Sequence, residues 1–491
     1  MLRIADFGNF PEHPLLHRSV LGAKIEQRNL HDNPPWQKDN IKDVLFSITI
    51  LYYSPTRTIF HLFFGYFLAI CGISAYIIRE TNSGNRQTGM NRMEIGREFQ
   101  CEIEKTVFGG DGLARVGGEV VFIPRTLPGE RLIARVTACK SSFSRAEAVR
   151  FGATSPHRIE PACPYFGRCP GCRYLHAGYA YETELKAAQL ADQLAQAGLE
   201  PAPGVLESPV APEPPLGYRN KIVLHVHKVG GRTMLGYVMG DNTTVTDIEA
   251  CPLAHPEINA KLAELRGDKS FLHSLHEGMD VTFRRTAAGG ATYWRNQPAR
   301  NATWLKEELP FGRLSVPCGS FFQVNAAGAA ALADEVAALI AARKPARFID
   351  LYAGVGFFSA VALHAGVREV LAVESDEAAA AAARFNLKNF GAENPEVIAG
   401  DAAEALKSLK DAPASDALLT VDPPRGGLTL KAAMALTGST LDSFIYISCN
   451  PATWARDARR LAKGGFTLNK LRLVNMFPRT EHFELFSFWT R

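Results

Sequence analysis

The chain has 491 residues, which is room for three or four folding units at about 100 to 200 residues per domain. Its composition is 46% hydrophobic, 21% charged and 10% aromatic, which excludes a wholly disordered, collagen-like or small disulfide-framework protein. The 54 basic and 50 acidic side chains leave a net charge of +4, too small to indicate a nucleic-acid partner by itself.

Residues 1–92 form an N-terminal extension whose composition differs from the rest of the chain. Only four alanines occur in its first 90 residues, whereas residues 326–405 are rich in alanine. Within the extension, the segment 60–78 carries no formal charge, and it is long enough to span a bilayer as a helix. It lies too far from the N-terminus to be a standard signal peptide.

Two interpretations of this extension stand. It is a genuine membrane anchor, or the chain is assigned too early a start and begins at Met90 or Met93. We favour the second, because the rest of the chain has the composition of a soluble protein. In addition, arginines lie on both sides of the segment, at Arg57 and Arg79, so the positive-inside rule does not assign it an orientation in the membrane. We therefore expect a cytoplasmic protein, with the membrane as a partner only if the extension is genuine, and we infer no protein partner.

Residues 93–152 are predicted to form a small all-β barrel. Short alternating runs such as GGEVVFIPR and ERLIARVTA are separated by glycine and proline turns every eight to twelve residues. Such barrels often bind RNA, and these strands carry several arginines. Acidic residues nearly balance them, however, so a purely structural barrel is an equally good interpretation.

Residues 153–317 are predicted to form a mixed α+β domain with a helix over 181–198 and strands including KIVLHVHKV. His225 and His227 alternate on that strand and share one face, but two lone histidines are more often satisfied polar residues than ligands. We assign them no chemistry.

A group of cysteines lies in this domain. Cys163, Cys169 and Cys172 are closely spaced, and Cys251 follows far downstream. Four thiolates arranged in this way suit an iron–sulfur cluster or a structural zinc ion in a reducing compartment. The spacing differs from that of radical S-adenosylmethionine enzymes.

Residues 318–491 are predicted to form a mostly parallel α/β sheet of Rossmann type, because buried apolar strands alternate with helices. The strand FIDLYAGVG ends in Gly354-x-Gly356, and Glu374 ends the next strand at a spacing suited to a ribose diol. The third glycine of a dinucleotide site is missing. This pattern favours S-adenosylmethionine, with Asp401 placed to reach the adenine edge.

Three further motifs follow in the same region. Asp422 begins DPPR, where two prolines make a rigid turn that presents a carboxylate. Cys449 ends a strand in ISCNP, where the positive start of the next helix is expected to activate a thiol nucleophile. The loop FPRTEHFE places carboxylates and an imidazole together, which supplies a general base.

The order of these motifs, together with the segment SFFQVN, resembles that of the RNA uracil-5-methyltransferase family. The resemblance covers residues from about 93 to 491 and is closest to the 23S ribosomal RNA members, which carry an N-terminal OB-like TRAM barrel and a [4Fe-4S] cluster. It implies a multidomain protein with a Rossmann-like methyltransferase domain, a TRAM barrel and an α+β domain for the cluster and RNA.

The resemblance also implies individual roles. Cys449 matches the nucleophile and Glu484 the base. Four cysteines match the cluster ligands, with zinc as the alternative metal: Cys163, Cys169, Cys172 and Cys251. Six positions match the cofactor-binding residues: Gln323, Tyr352, Gly354, Glu374, Asp401 and Asp422. Phe357 stands where many relatives have asparagine, so a hydrogen bond to the cofactor is expected to be absent there.

The implied reaction is methylation of carbon 5 of a uridine in RNA through a thiolate adduct at carbon 6. Ribosomal RNA is the favoured substrate and transfer RNA the alternative. A non-catalytic RNA-binding module is a competing hypothesis of another class. Ser-Cys-Asn-Pro in place of a Pro-Cys or Thr-Cys motif disfavours a cytosine-5-methyltransferase.

Overall fold

The computed structural model describes residues 93–241, 243–296, 298, 303–408 and 416–491. The extension with its apolar segment 60–78 therefore lies outside the described residues, and the structure does not test either interpretation of it. No helix in the described part of the chain has the length and apolar character needed to cross a membrane.

Six strands form the first sheet, in the order β1-β5-β6-β4-β3-β2. Their bounds are β1 Glu98–Glu102, β2 Lys105–Thr106, β3 Gly112–Val116, β4 Glu119–Ile123, β5 Arg131–Cys139 and β6 Ser144–Ala153. Alternate residues of β5 are buried, as a half-buried strand requires. They pack with Phe99, Ile103 and Val121 into a separate apolar core.

The arginines on this sheet are paired with acids. Arg131 lies 2.8 Å from Glu102, and Arg135 lies 2.8 Å from Glu98. These pairs are exposed, so each contributes little to stability. They show that much of the basic charge seen in the sequence is already balanced within the sheet.

A second sheet of five strands has the order β11-β10-β7-β8-β9. Its strands are β7 Lys221–Val229, β8 Arg232–Val238, β9 Val245–Asp247, β10 Asp280–Thr286 and β11 Gly290–Arg295. His225 and His227 each bond a carboxylate, of Asp280 at 2.6 Å and of Glu277 at 2.8 Å. They are satisfied polar residues, as expected.

Helices accompany both this sheet and the next one. The described helices are α1 Tyr179–Ala197, α2 Pro256–Gly267, α3 Lys269–His273, α4 Ala326–Arg343, α5 Phe357–His364, α6 Glu377–Asn389, α7 Ala402–Ser408, α8 Leu430–Thr437 and α9 Pro451–Lys463. Helix α1 begins two residues before the predicted start. It ends at Ala197 and is capped by Gly198, whose φ of 65° is a left-handed conformation that glycine adopts without steric cost.

A hairpin of β12 Trp304–Leu309 and β13 Gly312–Pro317 precedes the largest sheet, whose order is β16-β15-β14-β17-β18-β20-β19. Its strands are β14 Arg347–Leu351, β15 Glu369–Glu374, β16 Glu396–Ala399, β17 Ala417–Val421, β18 Ser443–Ser448, β19 Thr467–Val474 and β20 Glu484–Thr490.

The first five of these strands pair in parallel, whereas β20 pairs antiparallel with both β18 and β19. Every residue of β17 and β18 is buried, because helices cover both faces and leave two apolar cores, one on each side. The predicted α/β sheet is therefore present.

Candidate active site

Functional side chains predicted from four motifs meet at one edge of the large sheet. Strands β14, β15, β17 and β18 run parallel, so their carboxyl ends share that edge, where open α/β sheets bind ligands. A cavity of about 910 Å³ opens there, within the range of about 300–1,000 Å³ usual for small-molecule sites. Seven of the predicted residues line it: Gln323, Tyr352, Gly354, Glu374, Asp422, Cys449 and Glu484.

The turn after β14 is shaped by left-handed backbone conformations. Tyr352, Gly354 and Gly356 all have positive φ, of 62°, 55° and 84°. A Cβ on Gly356 would also meet Ala383 of helix α6 at 3.4 Å. That distance is an ordinary van der Waals contact, so the turn needs glycine at this position for its φ.

Glu374, at the end of β15, ties this turn to the next one. Its Oε2 accepts a hydrogen bond of 2.9 Å from the Gly354 amide, and its Oε1 accepts one of 2.8 Å from the Asp376 amide. Oε1 also accepts a bond of 3.2 Å from the Ser375 hydroxyl, so Oε2 is the carboxylate oxygen that keeps a lone pair free. A fixed acid at this point suits recognition of vicinal hydroxyl groups.

Asp401 does not line the cavity. Its Oδ1 accepts hydrogen bonds from the amides of Ala403 and Glu404 at 3.0 and 3.1 Å, so it caps the start of helix α7. Its charge nevertheless acts on Tyr352, whose pKa is raised to about 12 by burial first and by Asp401 second. Asp401 is therefore close enough to act on a residue of the cavity wall without lining the cavity itself.

Gln323 is buried and also lines the cavity. Its side-chain Oε1 has no hydrogen-bond partner among the described residues, and its backbone carbonyl accepts a bond of 3.1 Å from Asn220. Arg284 in turn donates to the Asn220 side chain at 2.9 Å. An unpartnered buried amide oxygen beside a cavity is a suitable acceptor for a bound ligand.

Cys449 follows β18 and precedes helix α9. Asn450 accepts a hydrogen bond of 3.1 Å from the Ala452 amide and caps that helix. Contrary to our expectation, the thiol is not activated in the free protein, because its pKa is raised to about 12. Burial is the main cause, the charges of Glu484 and Asp422 add to it, and Arg425 only partly opposes them.

Glu484 is the first residue of β20 and is buried. Burial raises its pKa well above the ordinary value, and the charge of Asp422 raises it further, while Arg425 lowers it. The pKa of Asp422 is itself raised to about 7, by burial and by Asp350. Near neutral pH the free protein therefore holds protons on these acids, which limits their mutual repulsion.

Arg425 brings a positive charge to this site, and the sequence analysis did not predict a role for it. Its guanidinium donates to the His482 ring nitrogen Nε2 at 3.2 Å, and its backbone carbonyl accepts from Asn450 and Thr453 at 3.3 and 3.2 Å. The sequence feature that could have indicated this role is the position of a basic residue directly after the two prolines of DPPR. Arg219 also lines the cavity, and nothing in the sequence pattern pointed to it.

The four predicted metal ligands line a second, smaller cavity. Cys163, Cys169, Cys172 and Cys251 surround it together with Tyr165, Phe166 and Tyr237. Burial raises the pKa of the first three thiols, and the neighbouring Cys251 adds to the effect on each. Four sulfur donors in an apolar, aromatic setting fit a thiolate-ligated metal centre.

In the described part of the chain, no three His, Cys, Asp or Glu side chains converge closely enough to hold one metal ion. The metal centre is therefore an inference from the donor set.

Two family models match the chain. A TRAM domain matches residues 92–149 and tRNA (uracil-5-)-methyltransferase matches residues 315–491. A protein of Acidithiobacillus ferrooxidans named 23S rRNA (uracil(1939)-C(5))-methyltransferase RlmD is 31% identical, over 80% of this chain and 97% of its own length. The protein of that name from Chromohalobacter salexigens is 30% identical, over 79% of this chain and 88% of its own.

The same architecture is found in a solved structure. The crystal structure of Pyrococcus abyssi tRNA (uracil-54, C5)-methyltransferase, in complex with S-adenosyl-L-homocysteine, superimposes with a TM-score of 0.61. It is 22% identical and covers 80% of this chain and 99% of its own. This similarity supports the fold described above.

Proposed function

This chain belongs to the RNA uracil-5-methyltransferase family, and from that premise we propose that its substrate is a specific uridine of 23S ribosomal RNA. The reaction is S-adenosylmethionine-dependent methylation of carbon 5 of uridine in RNA. The RNA target is supported by the two relatives named 23S rRNA (uracil(1939)-C(5))-methyltransferase. The observation that carries the reaction is the cavity at the sheet edge, which is lined by a cysteine, a buried glutamic acid and the predicted cofactor residues.

The cavity has two functional sides. Glu374 and Gln323 offer acceptors for the hydroxyl and amino groups of the cofactor, and Asp422, which lines the same cavity, is proposed to act between the cofactor and the uracil. S-adenosylmethionine, when bound there, supplies a sulfonium methyl group as the electrophile. The cavity volume and the unpartnered Gln323 oxygen support this assignment.

Cys449 is proposed as the nucleophile. Carbon 5 of uracil is a poor nucleophile, but addition of the Cys449 thiolate to carbon 6 places electron density on carbon 5. The thiol must first lose its proton, and its raised pKa opposes this in the free protein. Arg425 lowers that pKa and is the residue placed to favour the thiolate.

Glu484 is proposed as the base that completes the reaction. After carbon 5 is methylated, Glu484 takes the proton from carbon 5, the carbon 5–carbon 6 double bond reforms, and the Cys449 sulfur leaves carbon 6. The proton that Glu484 holds in the free protein must first be lost to solvent, and the raised pKa then makes the ionised carboxylate a stronger base for this step. Its unpartnered Oε2 is free to accept that proton.

The target uridine has to leave its stack to reach this cavity. Phe321 lines the cavity with 69% of its side chain exposed, so its ring is available to stack on a base. The TRAM domain is proposed to contact flanking RNA through the phosphates.

The cysteine cavity is proposed to hold a [4Fe-4S] cluster, with zinc as the alternative. The four ligands would be Cys163, Cys169, Cys172 and Cys251, and the cluster would supply a rigid cross-link between two distant stretches of chain. Its role is proposed to be structural, in shaping the RNA-binding part of the molecule.

The RNA target is tested with the full chain, purified without oxygen and given methyl-labelled S-adenosylmethionine. Unmodified 23S ribosomal RNA and transfer RNA are supplied in parallel, and nucleosides are analysed by mass spectrometry. Labelled 5-methyluridine from 23S RNA is the expected result. Label from transfer RNA alone would keep the reaction and overturn the proposed substrate.

A further inference from the structure

A fully buried lysine on helix α1 lies directly beneath the turn that precedes Glu484. The Lys186 amino group donates to the backbone carbonyls of Phe477 and His482, at 3.3 and 3.1 Å. These carbonyls mark the two ends of the turn 477–482. One side chain therefore bonds both ends of this segment, and its own relative exposure is 0%.

The charge of Lys186 is matched by acidic and polar neighbours. Its amino group lies 2.8 Å from both Glu182 and the Asn475 side-chain oxygen. Glu182 also accepts a bond of 2.8 Å from the Arg479 amide at the centre of the turn. Because an unpaired charge in such a site is costly, this arrangement is a fixed network rather than a mobile surface contact.

Other bonds hold the same turn at its middle. The Tyr218 hydroxyl donates to the Pro478 carbonyl at 3.0 Å. The amides of Arg173 and Tyr174 both donate to the Arg479 carbonyl, at 2.8 and 3.1 Å. Three elements outside the methyltransferase sheet thus fix the backbone of the turn, including the two residues that follow Cys172.

The position of Glu484 depends on this backbone. Glu484 comes two residues after His482 and starts β20. Its Oε2 has no hydrogen-bond partner in the described part of the chain, so no side-chain bond holds that oxygen in place. Its backbone is held on one side by the pairing of Glu484 with Val474 of β19 and on the other by the turn that leads into the strand.

We propose that Lys186 and Tyr218 are positioning residues for the base of the reaction, acting through the turn 477–482. The inference rests on the proposed function, in which Glu484 removes the carbon 5 proton. A base displaced by a fraction of an ångström still allows thiolate addition and methyl transfer, but it slows proton removal and therefore release of Cys449 from carbon 6.

The test separates these two steps. The full-length wild type, Lys186→Met and Tyr218→Phe are each mixed with RNA and labelled S-adenosylmethionine. Methyl transfer to RNA is followed in a single turnover, and the RNA that stays covalently attached to protein is measured on denaturing gels. Tyr179→Phe is the matched control, because its hydroxyl also donates to a proline carbonyl outside the turn, that of Pro212 at 2.8 Å, while the substitution keeps the ring that packs against Arg479.

For Lys186→Met we expect release of RNA to slow by on the order of 10-fold to 100-fold, the range in which small misplacements act, with a smaller loss in methyl transfer. The methylated covalent adduct then accumulates. Tyr218→Phe removes a single bond and is expected to give the same pattern, several-fold weaker, in a protein that folds. Tyr179→Phe should behave as the wild type.

The proposal is overturned if Tyr218→Phe and a folded Lys186→Met release RNA at the wild-type rate, or if methyl transfer and release fall in the same proportion. Failure of the proposed function gives a different result, because the wild type itself would then form no 5-methyluridine. A Lys186→Met variant that does not fold leaves Tyr218→Phe to decide.

Discussion

A thiol and several carboxyl groups share the wall of the cavity, and burial first, with mutual repulsion added to it, favours the protonated form of each. The pKa of Cys449, Glu484 and Asp422 is raised in every case, with burial as the first cause. The site is thus prepared for a bound cation, since a positive charge among these groups would relieve the repulsion.

At the residue scale, replacing the nucleophile and the base should have different effects. Cys449→Ser is expected to lower methylation by roughly 10³-fold or more, because a hydroxyl is a much weaker nucleophile than a thiolate. Glu484→Gln is expected to keep methyl transfer and to accumulate the protein–RNA adduct.

Both variants are measured by 5-methyluridine formation and by denaturing gels. Cys318→Ser is the control, because Cys318 lines the same cavity and has no proposed role. Equal activity of Cys449→Ser and Cys318→Ser would refute the assignment of the nucleophile.

Removal of a buried acid should stabilise the protein in a pH-dependent way. The pKa of Asp422 rises from 3.8 to about 7 on folding, so its contribution to stability is fully present below about pH 4 and is lost as the pH rises through 7. Asp422→Asn does not titrate. It is expected to raise the free energy of unfolding by on the order of 4 kcal/mol at pH 8, given the shift from 3.8 to about 7 and about 1.4 kcal/mol per pKa unit, and by little at pH 4.

Thermal or urea unfolding without cofactor or RNA, at several pH values, measures this difference. Asp442→Asn, at an exposed position, is the control and should show no such trend. A gain for Asp422→Asn that shrinks as the pH rises would contradict the sign of the shift.

At the element scale, the ends of the parallel strands make the cofactor wall. Glu374 holds two turns together through its carboxylate, and it is also the acid proposed for the ribose hydroxyls. Glu374→Ala is therefore expected to weaken S-adenosylmethionine binding by at least about tenfold, since bonds to charged groups contribute about 1.5–3 kcal/mol.

Calorimetric titration with the cofactor measures this loss. Glu369→Ala is the matched control, because Glu369 begins the same strand at the opposite sheet edge and is exposed. If both variants bind the cofactor as tightly as the wild type, the proposed ribose contact is wrong.

Much of this wall was predictable from sequence because strand, glycine turn and acid are close along the chain. Gly354 and Glu374 follow from local patterns whose backbone geometry is well defined. Lys186 was not predictable, since it lies four residues after Glu182 in a helix, and such pairs are usually on a solvated face. Only tertiary packing against residues 475–482 buries it. The raised thiol pKa likewise depends on groups that are distant in sequence.

At the scale of the whole molecule, the cysteine cavity is linked to the active site by backbone bonds. Arg173 follows Cys172 and bonds the Arg479 carbonyl, while the Arg219 amide bonds the Leu253 carbonyl close to Cys251. Both cysteine-bearing stretches thus contact segments near the catalytic cavity. Loss of the proposed metal centre is therefore expected to disturb the segments that surround the catalytic cavity.

Cys172→Ser is expected to lower iron content well below the wild-type level and to lower the midpoint of thermal unfolding, because a metal centre bound only by the folded chain stabilises it. Metal and sulfide analysis of protein purified without oxygen provides the measurement, with Cys318→Ser as the control. Zinc without sulfide in the wild type would replace the proposed cluster by the alternative metal.

The proposed reaction requires that the Cys449 sulfur bonds to carbon 6 of the uridine that is methylated. RNA containing 5-fluorouridine tests it most directly, because fluorine on carbon 5 cannot be removed as a proton and the adduct cannot resolve. With S-adenosylmethionine present, peptide mass spectrometry should find a methylated fluorouridine nucleotide on Cys449. An adduct on another residue, or none in a protein that binds both cofactor and RNA, would contradict the account.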